Sequence, residues 1–331
     1  MSLTLYGLIR HDQAIDFGPI GFEGAPVRAV PCGLFAAVVG QPPSEDFKNI
    51  SKEALVKRLL SHQTTLERVM KRFFVLPFKF GTTVRDEEEI GNILKNGESF
   101  LLSLEGKVKD SIEIGVVATW DVPRILKEIA EEDPEIIASR ASRVDASPTH
   151  VGMLLAKSLK QRAGDWQKKM TDVLKLHTKD FADHELLNDQ IVLNASFLVP
   201  RQGEQRFFDA VEAIDLSFDG KINFKCVGPL PPYSFATVTL QRFDPEEVRQ
   251  SAKILGLNGK AELGQVKKVY KELSRRCHPD TDPNLSVEKF EELNRAYELV
   301  ADYCKDGPRS LEREAVEQSV QLVVMENSHA A

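Results

Sequence analysis

The sequence predicts an α+β protein: two ferredoxin-like α/β domains linked by helices, followed by a small all-α helical hairpin. Two observations lead to this prediction. Segments of strand character alternate with helical segments through most of the chain, as in α+β sandwiches that contain βαβ units. The last quarter of the chain then becomes helical and highly charged. We place the parts at residues 1–121, 122–243 and 244–306, with a tail at 307–331 that we expect to be partly disordered.

The N-terminal domain combines four predicted strands with two predicted helices. The strands are expected at residues 3–9, 33–40, 75–84 and 112–120. Ser51 is a suitable N-cap for a helix that runs to about Phe73. The helical spacing of Leu55, Leu59 and Leu66 predicts that these side chains lie on one side of the helix. A second, charged helix begins at about Asp86.

The second domain begins with an unusually long helix. Ser147 and Pro148 form an N-cap and first-turn pair, and apolar residues recur at helical spacing over about 30 residues. His177 lies on this apolar stripe without a second ligand one turn away, so it is predicted as a packed core histidine. Further strands are expected at 190–200, 221–230 and 234–243, with a helix at 207–218. The last two strands are predicted to join across Pro231 and Pro232.

Composition excludes several classes of function. Hydrophobic residues make up 42% of the 331 residues, charged residues 28%, and the net charge is −7. This balance suits a globular protein that buries a core, and it argues against non-specific nucleic-acid binding. The N-terminus lacks a basic region followed by an apolar region, and no apolar run is long enough for a membrane helix. We therefore predict a cytoplasmic protein that binds neither nucleic acid nor membrane.

Neither a metal, a cofactor nor an enzymatic activity is predicted. The four cysteines form no C-x-x-C pair, so they are expected to be reduced thiols; they are Cys32, Cys226, Cys277 and Cys304. The chain has no phosphate-binding loop, no nucleophile elbow, no H-E-x-x-H and no calcium-binding loop. The acidic run that starts at Asp86 is interpreted as a helix N-terminus, where carboxylates complement the helix dipole.

The tripeptide His278-Pro279-Asp280 stands between two amphipathic segments. Residues 262–277 place Val266, Tyr270 and Leu273 on one face, and about 287–304 place Phe290, Leu293 and Tyr297 on one face. Two such helices bury their apolar stripes against each other, which predicts an antiparallel hairpin with the tripeptide at its tip. The opposite face of the first helix is basic: Lys267, Lys268, Lys271, Arg275 and Arg276.

This arrangement resembles the J domain, whose HPD loop and basic second helix bind Hsp70 and stimulate its ATPase. The resemblance implies that His278, Pro279 and Asp280 form the contact tip and that the five basic residues attract an acidic partner. An aromatic pair before Leu255-Gly256 and a fourth helix are missing from this pattern. The alternative interpretation is a three-helix bundle in which Pro279 and Asp280 only make a turn.

Five ordered motifs in residues 3–243 resemble the gas vesicle protein F/L family. They are LYGLI (5–9), VLPFKFGTTV (75–84), RVD (143–145), LNASFLVPR (193–201) and GPLPPYSF (228–235). The resemblance implies a non-enzymatic protein of two roughly ferredoxin-like α/β domains that binds the small hydrophobic shell protein. The motif residues singled out are Pro77, Phe80, Gly81, Gly228, Pro229, Pro231, Pro232, Tyr233, Ser234 and Phe235.

The physical role of the last motif stays open at this point. Gly228 and the prolines favour a rigid turn between two strands. Tyr233 and Phe235 can anchor that turn on a core, or they can present an apolar patch to a partner.

Together the two resemblances predict a gas vesicle assembly chaperone. Its expected partners are the shell protein and other gas vesicle proteins, with recruitment of Hsp70 and association with gas vesicles as further expectations. The alternative is a general J-domain co-chaperone with an unrelated client. An enzyme on a ferredoxin-like scaffold is the least favoured interpretation, because His278 and Asp280 have no neighbouring nucleophile or oxyanion element.

Overall fold

The computed structural model describes residues 2–44, 50–141, 147–276 and 287–325. The chain divides into two compact units, one of residues 1–239 with 324–331 and the other of residues 240–323. We call them unit 1 and unit 2. The tripeptide His278-Pro279-Asp280, the thiol Cys277 and the RVD motif at 143–145 lie outside the described residues.

The first sheet of unit 1 is formed by the N-terminal part of the chain. The elements of this part, numbered along the chain, are β1 (Leu3–Ile9), β2 (Ile15–Gly18), β3 (Val27–Cys32), β4 (Phe35–Gly40), α1 (Lys52–Met70), β5 (Val75–Pro77), β6 (Thr83–Val84) and α2 (Glu87–Val108). The strands run in the order β2-β3-β4-β1-β5, and β6 also pairs with β1.

This strand order is not ferredoxin-like, so that prediction is wrong for the first domain. Strands β2, β3 and β4 form an antiparallel meander, whereas a ferredoxin-like sheet alternates strands with crossover helices. The segment at 18–33 is rich in Pro and Gly, and no strand was predicted within it. Its partly buried strand β3 tolerates Pro31 at the end that leads into the turn to β4.

Helix α1 is packed over only half of its length. Ser51 caps it as predicted, since its Oγ accepts a hydrogen bond from the Ala54 amide at 3.2 Å. Leu66 and Val69 in the second half are fully buried against the first sheet. In the first half, Leu55 and Leu59 lie on the same side of the helix as Leu66 but remain 39% and 47% exposed.

The second sheet of unit 1 and its helices follow in the chain as β7 (Ser111–Trp120), α3 (Val122–Glu132), α4 (Pro134–Ala141), α5 (Pro148–Lys175), β8 (Asp180–Asp183), β9 (Ile191–Pro200), α6 (Glu204–Ser217) and β10 (Ile222–Leu230). The strands run in the order β10-β7-β9-β8, and neighbouring strands are antiparallel. A β-α-β-β-α-β chain with the fourth strand beside the first is the ferredoxin-like arrangement. Strand β7, which sequence analysis assigned to the first domain, is therefore the first strand of this fold.

The long helix α5 packs along the second sheet. It spans 28 residues, and the Ser147 hydroxyl accepts a hydrogen bond from the His150 amide at 3.2 Å. Trp166 contacts Trp120 and Phe218, with ring centroids 5.4 Å and 4.9 Å apart. His177 follows the helix C-cap and is half-buried, so it is not the core histidine that the periodicity predicts.

After β10 the chain leaves the second sheet, contrary to the predicted pair of strands. A short helix, α7 (Tyr233–Ala236), precedes β11 (Val238–Arg242), and β11 pairs with the late strand β14 (Val320–Val324). The physical reason lies in the proline pair: the Pro232 carbonyl accepts a hydrogen bond from the Ala236 amide at 2.8 Å, which closes a helical turn where a strand was expected.

Unit 2 is a helical bundle with short strands. The elements are α8 (Pro245–Ile254), β12 (Lys260–Ala261), α9 (Leu263–Arg276), α10 (Val287–Tyr303), β13 (Arg309–Ser310), α11 (Arg313–Glu317) and β14. Helices α9 and α10 form the predicted pair, and β12 pairs with β13.

The segment predicted as a partly disordered tail contributes to the core of unit 2. Leu311 and Val316 are buried there beside Val300. The Tyr303 hydroxyl donates a hydrogen bond to the Ser310 carbonyl at 2.7 Å. The individual elements are two to five residues long, so their periodicity is too short to be recognised in the sequence.

Candidate functional site

The two motifs VLPFKFGTTV and GPLPPYSF, about 150 residues apart in sequence, meet at one pocket of unit 1. We call it the motif pocket. Its volume is about 290 Å³, and its lining comes from the first motif, α1, α7 and the segments beside them. The lining residues are Leu59, His62, Gln63, Phe78, Lys79, Phe80, Tyr233, Thr237 and Met325.

Backbone hydrogen bonds hold the first motif in the pocket wall. The Phe78 amide donates to the Tyr6 carbonyl at 2.9 Å, and the Lys79 amide donates to the Val238 carbonyl at 2.8 Å. The chain then turns, because the Thr82 amide donates to the Lys79 carbonyl at 3.1 Å. Gly81 stands at the third position of this turn with φ of 83°, a conformation that favours glycine. The turn thus holds Phe80 at the pocket.

An aromatic cluster with one buried histidine forms the pocket floor. The His62 ring stacks on Tyr6 with centroids 5.3 Å apart and meets Phe80 edge-on at 5.6 Å. Burial lowers the pKa of His62 to about 4, so the ring is neutral at physiological pH. Among the described residues, neither Nε2 of His62 nor the hydroxyl of Tyr233 has a hydrogen-bond partner.

The neighbouring residue of the same motif, Ser234, contacts a buried carboxylate in the second sheet. Its amide donates to Oε2 of Glu113 at 2.7 Å, and its hydroxyl donates to Oε1 at 2.7 Å. Ser196 donates to the same Oε1 at 2.8 Å, and His184 Nε2 lies 2.8 Å from the Ser196 hydroxyl. We call these four residues the Glu113 network.

One arrangement of protons satisfies every member of the Glu113 network. The Ser234 and Ser196 hydroxyls lie 3.0 Å apart; when both donate to the carboxylate, His184 Nε2 donates to Ser196. Burial raises the pKa of Glu113 above its usual range, and the bonds from Ser234 and Ser196 oppose that increase. The network therefore ties α7 to strands β7 and β9 in the second sheet through fully partnered polar groups.

The remaining motif residues shape the backbone around these two features. Gly228 has φ of 154°, and a Cβ placed there would lie 2.9 Å from the Glu113 carbonyl oxygen, so only glycine fits. Pro77, Pro231 and Pro232 are buried, Phe235 is half-buried, and Pro229 is exposed.

In unit 2 the predicted basic face is present on α9. Lys267, Lys268, Lys271, Arg275 and Arg276 are all exposed. On the opposite face the hairpin is closed by Tyr270, whose ring stacks on Tyr297 at 4.0 Å and whose hydroxyl donates to Asn294 at 2.9 Å. Val266 and Ala296 are buried between the helices.

Sequence analysis missed Glu113, Ser196 and His184. The only signal in the sequence is a single carboxylate in the apolar run IEIGVV, which alternation interprets as a solvent-facing position of a half-buried strand. Its face of the sheet is instead covered by α7, so Glu113 is only 4% exposed.

The fold and these features define a two-part protein, an α+β unit with an apolar pocket followed by a helical unit with a basic face. The family profile described as "Gas vesicle synthesis protein GvpL/GvpF" matches residues 3–237, and the chain therefore belongs to this family. A second profile, the DnaJ domain, matches residues 253–305.

Individual relatives agree with both assignments. Gas vesicle protein F from Microcystis aeruginosa is 25% identical over 246 residues, which cover 71% of this chain and 98% of the relative. Chaperone protein DnaJ 2 from Synechocystis is 39% identical over 62 residues, 18% of this chain and 20% of the relative. The crystal structure of GvpF from Anabaena sp. PCC7120 covers 71% of this chain and 98% of its own, with 24% identity and a TM-score of 0.62, so the folds are alike.

Membership assigns a coarse function. The chain has a role in gas vesicle synthesis and the potential of a J-domain co-chaperone, and both families consist of structural or chaperone proteins rather than enzymes. In the ranges that the structure describes, every helix is too short or too polar to cross a membrane. The same ranges hold no group of three His, Cys, Asp or Glu residues suited to a metal ion.

Proposed function

We propose that this chain is an assembly chaperone of gas vesicle formation. It binds the small hydrophobic shell protein through unit 1 and recruits an Hsp70 through α9 and the HPD loop. The observation that carries this proposal is the succession of a GvpL/GvpF match and a DnaJ match in one chain. A single molecule then brings a gas vesicle client to an Hsp70, near other gas vesicle proteins and the growing vesicle.

The pocket of unit 1 supports the first half of the proposal. A very hydrophobic subunit needs apolar surface to contact before it assembles, and exposed apolar surface marks interaction sites. The exposed Leu59 and the half-buried Phe80 and Tyr233 supply such surface at the motif pocket.

The α9–α10 hairpin supports the second half. Five exposed cations along one face of α9 attract an acidic partner over long range, which raises the association rate and makes binding sensitive to salt. The Tyr270–Tyr297 stack and the buried Val266 hold this face in one orientation. His278, Pro279 and Asp280 follow α9 in sequence and form the proposed contact tip.

The ATPase rate of the host Hsp70 tests the proposal, measured with the full chain and with or without the shell protein. We expect the wild type to stimulate the ATPase and His278→Gln to abolish the stimulation while shell-protein binding is retained. His150→Gln, a substitution of an exposed histidine on α5, is the matched control and should behave as wild type. Stimulation without any binding of the shell protein would instead favour a general co-chaperone.

A further inference from the structure

The N-terminal half of α1 carries an apolar stripe that faces solvent. Leu55, Val56, Leu59 and Leu60 are 39%, 57%, 47% and 55% exposed. Their spacing places all four on one side of the helix. Contiguous exposed apolar surface of this kind marks a contact site, whereas single exposed apolar residues need no explanation.

The stripe leads directly into the motif pocket. Leu59 belongs to both, and Gln63, one turn further along the helix, lines the pocket as well. From Lys52 to Gln63 the helix rises about 17 Å, which is three turns. Stripe and pocket together thus match the length of a short helix lying across α1, with the pocket available for one large side chain.

The surroundings of the stripe are basic. Lys57 borders it on the side of Leu60, Lys52 lies at its N-terminal end and Lys79 at the pocket, and all three are exposed. They outnumber two carboxylates: Glu53 beside Lys57, and Glu67, which accepts a hydrogen bond from Gln63 at 2.8 Å. The whole chain has a net charge of −7, so this local excess of cations is opposite to the overall balance. It selects for a partner with carboxylates beside its apolar face.

We propose that the stripe and the motif pocket dock an amphipathic helix of the shell subunit, apolar on its docking face and acidic at its flanks. This inference rests on the proposed function and gives it a surface. Pairing with a second copy is disfavoured, because a twofold contact between two α1 stripes brings the lysines of both copies together.

The pocket also restricts the side chain that enters it. Its walls are apolar, and two polar atoms without a partner among the described residues, His62 Nε2 and the Tyr233 hydroxyl, are buried beneath them. A side chain with an apolar body and a hydroxyl or amide tip bonds these atoms only when the pocket wall moves; it then donates to Nε2 of neutral His62 and accepts from the phenol.

The stripe is tested in the full chain with Val56→Glu/Leu60→Glu. The probe is the gas vesicle shell protein of the host, kept soluble as a fusion, and its Kd is measured by calorimetry. We expect Kd to rise at least tenfold. Leu176→Glu and Leu216→Glu change residues of unit 1 that are 80% and 77% exposed, so they serve as matched controls that should stay within twofold. Circular dichroism checks that each variant is folded.

A second arm tests the charge. Lys57→Glu should weaken shell-protein binding, whereas Lys160→Glu on the exposed side of α5 should not. Exchange of the shell helix's flanking carboxylates for lysines should restore binding to Lys57→Glu.

The outcomes separate this inference from the proposed function. Wild-type affinity in the Val56→Glu/Leu60→Glu variant would overturn the docking surface while client binding stands. Failure of the wild type itself to bind the shell protein would overturn the proposed function, and the docking surface with it. A wild-type dimer in sedimentation that the double variant loses would make the stripe a self-association surface and also overturn the inference.

Discussion

Two adjacent residues of one motif, Tyr233 and Ser234, differ in the hydrogen bonds that their hydroxyl groups make. The Ser234 amide and hydroxyl each donate a hydrogen bond of 2.7 Å to the buried Glu113 carboxylate. The Tyr233 hydroxyl is buried at the motif pocket and has no partner among the described residues. The comparison separates two tasks within GPLPPYSF: Ser234 bonds the motif to the second sheet, and Tyr233 lines the pocket that we propose receives a partner.

Substitutions that disturb these two tasks should change different quantities, stability in one case and binding in the other. A fully partnered polar network specifies one arrangement of the chain and loses stability when any member is removed. A buried polar atom without a partner in the protein costs stability unless a water or a ligand bonds it. Substitutions at the Glu113 network should therefore change stability, and substitutions at the pocket should change binding.

Glu113→Leu is expected to have the largest effect. It leaves the Ser234 amide and both serine hydroxyls without their buried acceptor, and we expect a loss of about 3 kcal/mol in the free energy of unfolding. Urea denaturation of the full chain measures the loss. A change below about 0.5 kcal/mol, the range of surface substitutions, would show that the network does not fasten the motif.

Gly228→Ala tests the same attachment through the backbone. The new Cβ would lie 2.9 Å from the Glu113 carbonyl oxygen, at a φ of 154° that side chains rarely adopt. We expect a loss of about 2 kcal/mol. Gly220→Ala provides a comparison, since φ is 67° there and nothing lies within 4 Å of the added atom, so any loss arises from backbone conformation alone. Equal losses in the two variants would remove close packing at Gly228 as a cause.

The pH dependence of stability gives a smaller but signed effect. Burial is the largest cause that raises the pKa of Glu113 in the folded state, so the folded protein binds this proton more readily than the unfolded chain does. As the pH falls through the raised pKa towards the ordinary value of 4.5, the wild type should gain stability relative to Glu113→Gln. Urea denaturation at pH 7.5 and pH 5 measures the difference. The opposite sign would mean that the hydrogen bonds outweigh burial.

The two sheets of unit 1 show how far the sequence predicts the fold. The second sheet has the predicted ferredoxin-like fold, although β7 was assigned to the first domain and the four-residue β8 was not predicted. Its other strands are long, and α5 has clear periodicity and a serine cap. The first sheet was not predicted, because its meander passes through a segment rich in Pro and Gly. Local propensity describes single elements well, whereas strand order depends on contacts between distant segments.

The candidate sites differ in the same way. The basic face of α9 lies within one helix, so its periodicity alone predicts it. The motif pocket combines α1, the turn after β5 and α7, and the Glu113 network combines β7, β9 and α7. Residues of the motifs were recognised, but their partners Glu113, Ser196 and His184 come from segments that no local pattern links to them.

Tyr233→Phe is the smallest expected change in stability and the sharpest test of the comparison. It removes the one polar atom of Tyr233 that has no partner among the described residues, and it keeps the ring in the pocket wall. Because no hydrogen bond is lost, the free energy of unfolding should stay within about 0.5 kcal/mol of wild type or rise slightly.

Binding should respond differently from stability in Tyr233→Phe. If the partner's side chain bonds the phenol, its loss should raise the Kd for the shell protein several-fold, as expected for one hydrogen bond worth about 1 kcal/mol. Ser234→Ala, one residue along, should show the reverse pattern: lower stability, with unchanged affinity in the fraction that is folded. Parallel measurements of urea denaturation and Kd on the two variants decide the matter. If both variants lose stability and affinity in the same proportion, the two residues serve one task, and Tyr233 belongs to the attachment of the motif.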